Sequence, residues 1–124
     1  MSDPIITNPP VMTVNTKPWG AEFVIELAGY LVKVIVVNEG EMTSLQYHKE
    51  KEEVQYVLDT GGGFVKGVGD GALLIEGVVQ PMWTAIPIAD HVIHRTIGPE
   101  VHLEISTNHP DDVVRIADAY GGKR

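Results

Sequence analysis

The chain reads as a single all-β domain, a barrel or sandwich of short strands with a short helical segment near its C-terminus. Three observations predict this. Short runs rich in Val, Ile, Thr and aromatic residues recur along the chain. Gly, Pro and Asn clusters separate them at close spacing. At 124 residues there is material for one core and too little for two ordinary domains.

Residues 1–16 are expected to form an arm leading into a first strand. The first ten carry three prolines, so they read as extended chain that either stays loose or adds to a neighbouring sheet edge, with order beginning at 11–14. Lys17-Pro18-Trp19-Gly20 is a turn whose tryptophan anchors a core edge. Strands follow at 21–27 and 30–37, joined by a tight turn at Ala28-Gly29. Lys33 interrupts the β-branched run of the second, so it either enters a polar cavity or snorkels at an edge. Asn38-Glu39-Gly40 turns the chain into a strand at 42–48.

Residues 49–53, KEKEE, form a charged turn in which Lys49, Glu50, Lys51 and Glu52 are read as solvated. Further strands are expected at 54–59, 64–66, 72–76 and 82–86, the last ended by Pro87. The intervening glycines at 61–63, 67, 69 and 71 are turn formers, because no phosphate-loop lysine pattern follows them. Tyr56 and Trp83 are assigned to the core. Strands at 92–97 and 101–107 complete the set. In the last of these Val101, Leu103 and Ile105 alternate with His102, Glu104 and Ser106, which share a face that could look into the barrel. Only the tail departs: residues 108–112 cap a run, 113–120, compatible with one or two helical turns. The barrel proper is placed at 17–121 and residues 122–124 are a frayed end.

Composition narrows the functions. The formal net charge of −8 argues against nucleic acid or anionic membrane as a partner. With no cysteine, disulfides and thiolate ligands are excluded, so any metal must be held by N and O donors. No apolar run approaches membrane-spanning length, and residues 1–10 have neither a basic start nor an apolar core of a signal peptide. A soluble, cytoplasmic protein is expected.

One stretch carries chemistry. Alternation turns Ser44, Gln46 and His48 to one side of a strand, and Glu53 opens the next run after the charged turn. Two antiparallel neighbours would bring Gln46, His48 and Glu53 together as an amide oxygen, an imidazole and a carboxylate. With a further ligand from His94, these make a divalent-metal site.

The order of landmarks resembles a known family. Lys17-Pro18-Trp19-Gly20, Tyr30-Leu31-Val32-Lys33 leading to Val37-Asn38-Glu39-Gly40, and Ser44-Leu45-Gln46-Tyr47-His48 with Glu53 five residues on follow in sequence. Ile86-Pro87 with His94-Arg95 comes next, then Asp111-Asp112-Val113-Val114-Arg115 and Asp118-Ala119-Tyr120-Gly121. In this the chain is similar to the cupin superfamily, and within it to the small barrel of the mannose-6-phosphate isomerase type, also found as the C-terminal part of bifunctional isomerase/mannose-1-phosphate guanylyltransferases. The guanylyltransferase domain is absent, so that activity is not implied.

The resemblance implies a double-stranded β-helix, or jelly-roll barrel, with metal ligands Gln46, His48, Glu53 and a histidine of the second motif. That motif departs from the family's Pro-x-Gly-x-x-His: Ala89 replaces the glycine, and His91 and His94 flank the expected position. His94 is preferred because Arg95 follows it. Gln46, standing where oxygen-activating cupins have histidine, suits zinc acting as a Lewis acid, with nickel, manganese or iron as alternatives.

The reaction implied is aldose–ketose isomerisation of a sugar phosphate, with Arg115, Glu104 and His102 as catalytic candidates and Lys33 and Arg95 as phosphate-binding candidates. A non-catalytic metal- and sugar-binding cupin is the alternative, and an iron cupin dioxygenase a weaker one. A homodimer is expected, paired through an edge strand or the proline-rich arm.

Overall fold

A computed structural model of the chain describes residues 11–27, 29–59, 64–67, 74–78, 83–109 and 111–117. Among these every strand or helix assigned is a β-strand. In chain order the strands are β1 (Met12–Lys17), β2 (Gly20–Leu27), β3 (Tyr30–Val37), β4 (Leu45–Tyr47), β5 (Glu53–Asp59), β6 (Phe64–Gly67), β7 (Leu74–Val78), β8 (Ala85–Ile88), β9 (His94–Thr96), β10 (Glu100–Thr107) and β11 (Val114–Ala117).

They form two antiparallel sheets, ordered β1-β2-β3-β10-β5-β8 and β11-β4-β9-β6-β7. The long strands come from β-branched and aromatic runs such as YLVKVIVV in β3, whose side chains suit a pleated surface. Gly20 is required where β2 meets β3, because a Cβ there would run into the Val36 carbonyl.

The apolar core is divided. Trp19 packs with Ile35 and Val37; Val57 with Ile86, Ile88 and Val92; and Leu45 with Tyr47, Ile93 and Val114. Each buried aliphatic side chain stabilises the fold by roughly 1.5–3 kcal/mol. The clusters stay separate because the space between the two sheets is occupied by polar side chains.

The structure corrects several expectations. Residues 114–117 are strand, not helix: Val114 faces Tyr47 and Arg115 faces Gln46 across the ladder, so the edge of β4 overrides the local helical preference. The rest of that run, 118–120, lies outside the described residues, as do the arm at 1–10, the glycine loop at 61–63 and the frayed end. The strand expected at 42–48 is shorter, with Met42 outside it in an isolated bridge to Ile97. The strand expected at 82–86 is β8, and Pro87 lies within it. Proline is tolerated there because β8 is the edge of its sheet and needs no donor on its outer side. Trp83 is 62% exposed and not in the core.

Candidate metal centre

The two sheets enclose a polar cavity of about 200 Å³. Its floor is made by the end of β4, the start of β5 and the start of β9. His48 immediately follows β4, Glu53 begins β5, and His94 begins β9 opposite Gln46 in the ladder. The ligand atoms of His48, Glu53 and His94 all lie within 4.8 Å of one another, and all three residues are buried.

The hydrogen bonds of the two rings set their tautomers. His48 Nδ1 donates to the Asp112 carbonyl at 2.6 Å and His94 Nδ1 to the Val92 carbonyl at 2.9 Å. A carbonyl only accepts, so each Nδ1 carries a proton and a neutral ring presents its Nε2 lone pair. Both Nε2 atoms face Glu53 Oε1, at 2.8 Å from His48 and 3.6 Å from His94. Burial pushes His94 below the ordinary imidazole range and so favours its neutral form, against the pull of Glu53 towards the charged one. Burial alone would raise Glu53, but the adjoining His48, His94 and Lys51 hold its carboxyl down to about 2.

With both rings in that tautomer, two lone pairs meet one carboxylate oxygen, an arrangement that a cation among them completes. A tetrahedral ion with ligands at about 2.0–2.1 Å spaces its donors about 3.3 Å apart, so the two observed separations bracket what a metal requires. Orientation of metal-binding imidazoles through Nδ1–H is the usual outer arrangement of such sites. The donor set therefore fits a divalent ion of the zinc type. Gln46 lines the same cavity, with its Oε1 accepting from the Ser44 hydroxyl at 2.8 Å. His91 is more than half exposed and pairs with Asp90, so the histidine in the cluster is His94.

Above the floor, Lys33 enters the cavity and meets Glu22 Oε2 at 3.7 Å, while Lys17 meets Glu22 Oε1 at 3.9 Å. Arg115 reaches the cavity from β11, in the same cross-strand row as Gln46 and His94. Glu104 also lines it. Behind Glu104 sits His102, 1% exposed, with Nε2 donating to Glu104 Oε1 at 2.9 Å and Nδ1 to Glu100 Oε1 at 3.0 Å. His102 therefore reaches the cavity only through Glu104. Arg95 is not brought to the cavity. It follows His94 in a strand, so alternation turns it away, and it bonds the carbonyls of Thr43 and Ala117.

Several residues escaped the sequence reading. Lys51, read there as solvated, is 5% exposed and lines the cavity beside Glu53. Gln55 stands two residues beyond Glu53 on the same strand face, a spacing that alternation could have revealed. Its Nε2 donates to Glu53 Oε2 and Glu104 Oε1, both at 3.3 Å, so it bridges the metal cluster to the second carboxylate. Asp112 accepts from the backbone N–H groups of Lys49, Glu50 and Lys51 at 3.0, 2.6 and 2.8 Å. Through its side chain and carbonyl it ties the charged turn and His48 together. No local sequence signal marks that contact, which spans some sixty residues of chain.

No protein-family model and no curated protein matches the chain. Solved structures do. CapF, crystallised with the inhibitor 3-isopropenyl-tropolone, superposes with a TM-score of 0.68 at 16% identity, covering 90% of this chain and 36% of that one. The Lactobacillus farciminis oxalate decarboxylase formate complex gives 0.67 at 13%, covering 85% and 33%. A variant of Streptomyces Pac13 with uridine gives 0.70 at 12%, covering 90% and 92%. Pac13 is described as a nucleoside dehydratase. The chain thus spans about a third of the length of the first two and nearly all of the third. At these identities the likeness is one of fold: with the two-sheet topology it shows a cupin-type β-barrel, inside which His48, Glu53 and His94 stand close enough to hold a metal.

Proposed function

We propose that the chain is a metal-dependent sugar-phosphate isomerase, converting an aldose phosphate such as mannose 6-phosphate to the ketose. The observation that carries this reading is the charge of the cavity. Lys17, Lys33, Lys51 and Arg115 line it against Glu22, Glu53, Glu104 and Asp112, so with neutral histidines its charges cancel. A divalent ion held by His48, Glu53 and His94, with Gln46 beside them, leaves the cavity net positive in a chain that is otherwise acidic. A phosphate monoester, nearly dianionic at neutral pH, matches that charge.

The bound ion would supply Lewis-acid polarisation of the sugar carbonyl and its neighbouring hydroxyl. Glu104 is the proton carrier: its Oε1 is fixed by His102 and Gln55, and its carboxylate takes the proton from C2 and returns it to C1. The hydroxyl proton passes from O2 to O1 in the same step, so no redox partner is consumed. His102 is a positioning residue that holds Glu104 in place. Arg115 and Lys51 bind the phosphate, and Lys33 orients a sugar hydroxyl.

A second reading has one observation in its favour. Glu22 pairs with both Lys17 and Lys33, which suits a neutral polyhydroxyl ligand held without turnover.

Metal analysis of the purified protein beside His48→Ala and His94→Ala comes first, with near-stoichiometric divalent metal expected in the parent and lost in both variants. A coupled assay of mannose 6-phosphate conversion follows. Glu104→Gln should lower kcat at least about 100-fold with little change in KM. Metal-loaded protein that binds the sugar phosphate without converting it would sink the isomerase and leave the binding reading. A chain that stays metal-free after incubation with zinc, nickel, manganese and iron would remove both.

A further inference from the structure

On β10 the residues Glu100, His102 and Glu104 follow one another at every second position and so share the inner face of the large sheet. Glu104 lines the metal cavity, whereas His102 and Glu100 lie behind it and do not. The buried His102 ring donates from Nε2 to Glu104 Oε1 at 2.9 Å and from Nδ1 to Glu100 Oε1 at 3.0 Å. An ionised carboxylate only accepts, so each ring nitrogen carries its own proton and the ring is an imidazolium between two carboxylates.

The ring's neighbours across the ladder are apolar, Ile35 from β3 and Val57 from β5, both buried. Val37 stands beside Glu100, while Glu104 is flanked by Lys33 and Gln55. Lys33 turns its ammonium to Glu22, and Gln55 gives Glu104 Oε1 a second hydrogen bond at 3.3 Å. Both bonds land on one oxygen. Among the described residues nothing bonds Glu104 Oε2, and that atom is not closed off, so it is the oxygen that opens on the cavity.

We infer that Glu100 is a positioning residue: by holding the far nitrogen of His102 it fixes the ring that clamps Glu104 Oε1, and so aims Glu104 Oε2 at the substrate carbon. As the C2–H bond breaks, its proton goes to Oε2 and its electron pair becomes the C1–C2 double bond, the carbonyl pair moving to O1. The proton then returns from Oε2 to C1 as O2 becomes the carbonyl oxygen. The role of Oε2 in that step rests on the isomerase reading; the hydrogen bonds that aim it do not.

Two features favour aiming over bracing. A buried ion cluster is a weak source of stability, because packed apolar side chains of similar volume often hold a fold as firmly. A cluster that served only to balance charge would also use both oxygens of Glu104, whereas here one is held twice and the other is left open. Glu100 must be charged for this purpose. Two ionised neighbours keep both ring nitrogens protonated, and a charge-assisted hydrogen bond is roughly twice as strong as a neutral one. With a neutral group at position 100, Nδ1 loses its proton, and Glu104 is held by a weaker donor and turns more freely.

Glu100→Gln in the full, metal-loaded chain is the test. In mannose 6-phosphate conversion kcat should fall about 10-fold with KM within about twofold of the parent, while circular dichroism and metal content stay unchanged. Nitrogen NMR of the His102 ring, assigned by its loss in His102→Gln, needs no turnover and would not respond to mere bracing. Both ring nitrogens should be protonated in the parent at neutral pH, and only one in Glu100→Gln. If Glu100→Gln does not fold, Glu100→Asp keeps the charge on a shorter arm and should retain both ring protons with a smaller loss of kcat. An unchanged kcat in Glu100→Gln, beside an impaired Glu104→Gln, overturns the inference and leaves the isomerase standing. So does a parent whose His102 ring has one bare nitrogen. A parent that binds mannose 6-phosphate without converting it refutes the isomerase, and with it the step given to Oε2, whatever the ring signals show.

Discussion

Replacing His102 by Gln tests how the interior of the large sheet is held together. The His102 ring is buried between Glu100 and Glu104 at 3.0 and 2.9 Å. Burial alone would lower its pKa, but the two hydrogen-bonded carboxylates outweigh it and raise it from 6.5 to about 9. At about 1.4 kcal/mol for each tenfold gain in proton affinity, that difference is worth roughly 3 kcal/mol. The folded state holds the proton more tightly than the unfolded chain. The contribution is therefore fully present below about pH 6.5 and is lost as the pH rises through about 9. His102→Gln keeps an amide donor for one carboxylate but removes the titrating cation.

Urea unfolding at a series of pH values from about 6 to 10 gives the measurement. Near pH 6 the variant should be the less stable by roughly 3 kcal/mol, and the two curves should converge above pH 9. The parent alone should show the downward slope between these limits. Parallel profiles for parent and variant would show that His102 is not held as a cation between the two carboxylates. Glu104 would then lose the partner that fixes its Oε1.

Three further outcomes follow from the same geometry. Gln55→Leu removes the amide joining Glu53 to Glu104 and should weaken metal binding about 10–100-fold in a chelator competition, with the fold intact. Asp112→Asn leaves the carbonyl that holds His48 but weakens the carboxylate's grip on the charged turn, so metal should dissociate faster. Three backbone N–H groups outweigh slight burial and hold Asp112 at about 2 against 3.8, so the turn's anchorage is present above pH 3.8 and lost as the pH falls towards 2. Gly20→Ala drives a Cβ into the Val36 carbonyl and should destabilise the chain by about 2 kcal/mol or more in urea unfolding.

By itself the sequence determined most of the strands, and much of the candidate metal site with them. Alternation over a few residues is a local property, so Gln46 and His48 were legible as one face and Glu53 as the opening of the following strand. The same rule, applied one step further, accounts for Gln55 and for Arg95, the neighbour of His94, turning away from the cavity. The tail was misread because helical preference is local, whereas the vacant edge of β4 that captures residues 114–117 is not.

Tertiary structure decided the rest. It chose His94 over His91 by backbone placement, took Lys51 out of solvent, and closed the site with Asp112 from far along the chain. It also decided which face of the large sheet is inside. An alternating strand such as Val101 to Thr107 specifies two unlike faces but not their direction. Here the sheets turn the charged face inward, because lysines, histidines and carboxylates meet in the polar cavity between them and satisfy those charges, and leave the apolar face outward.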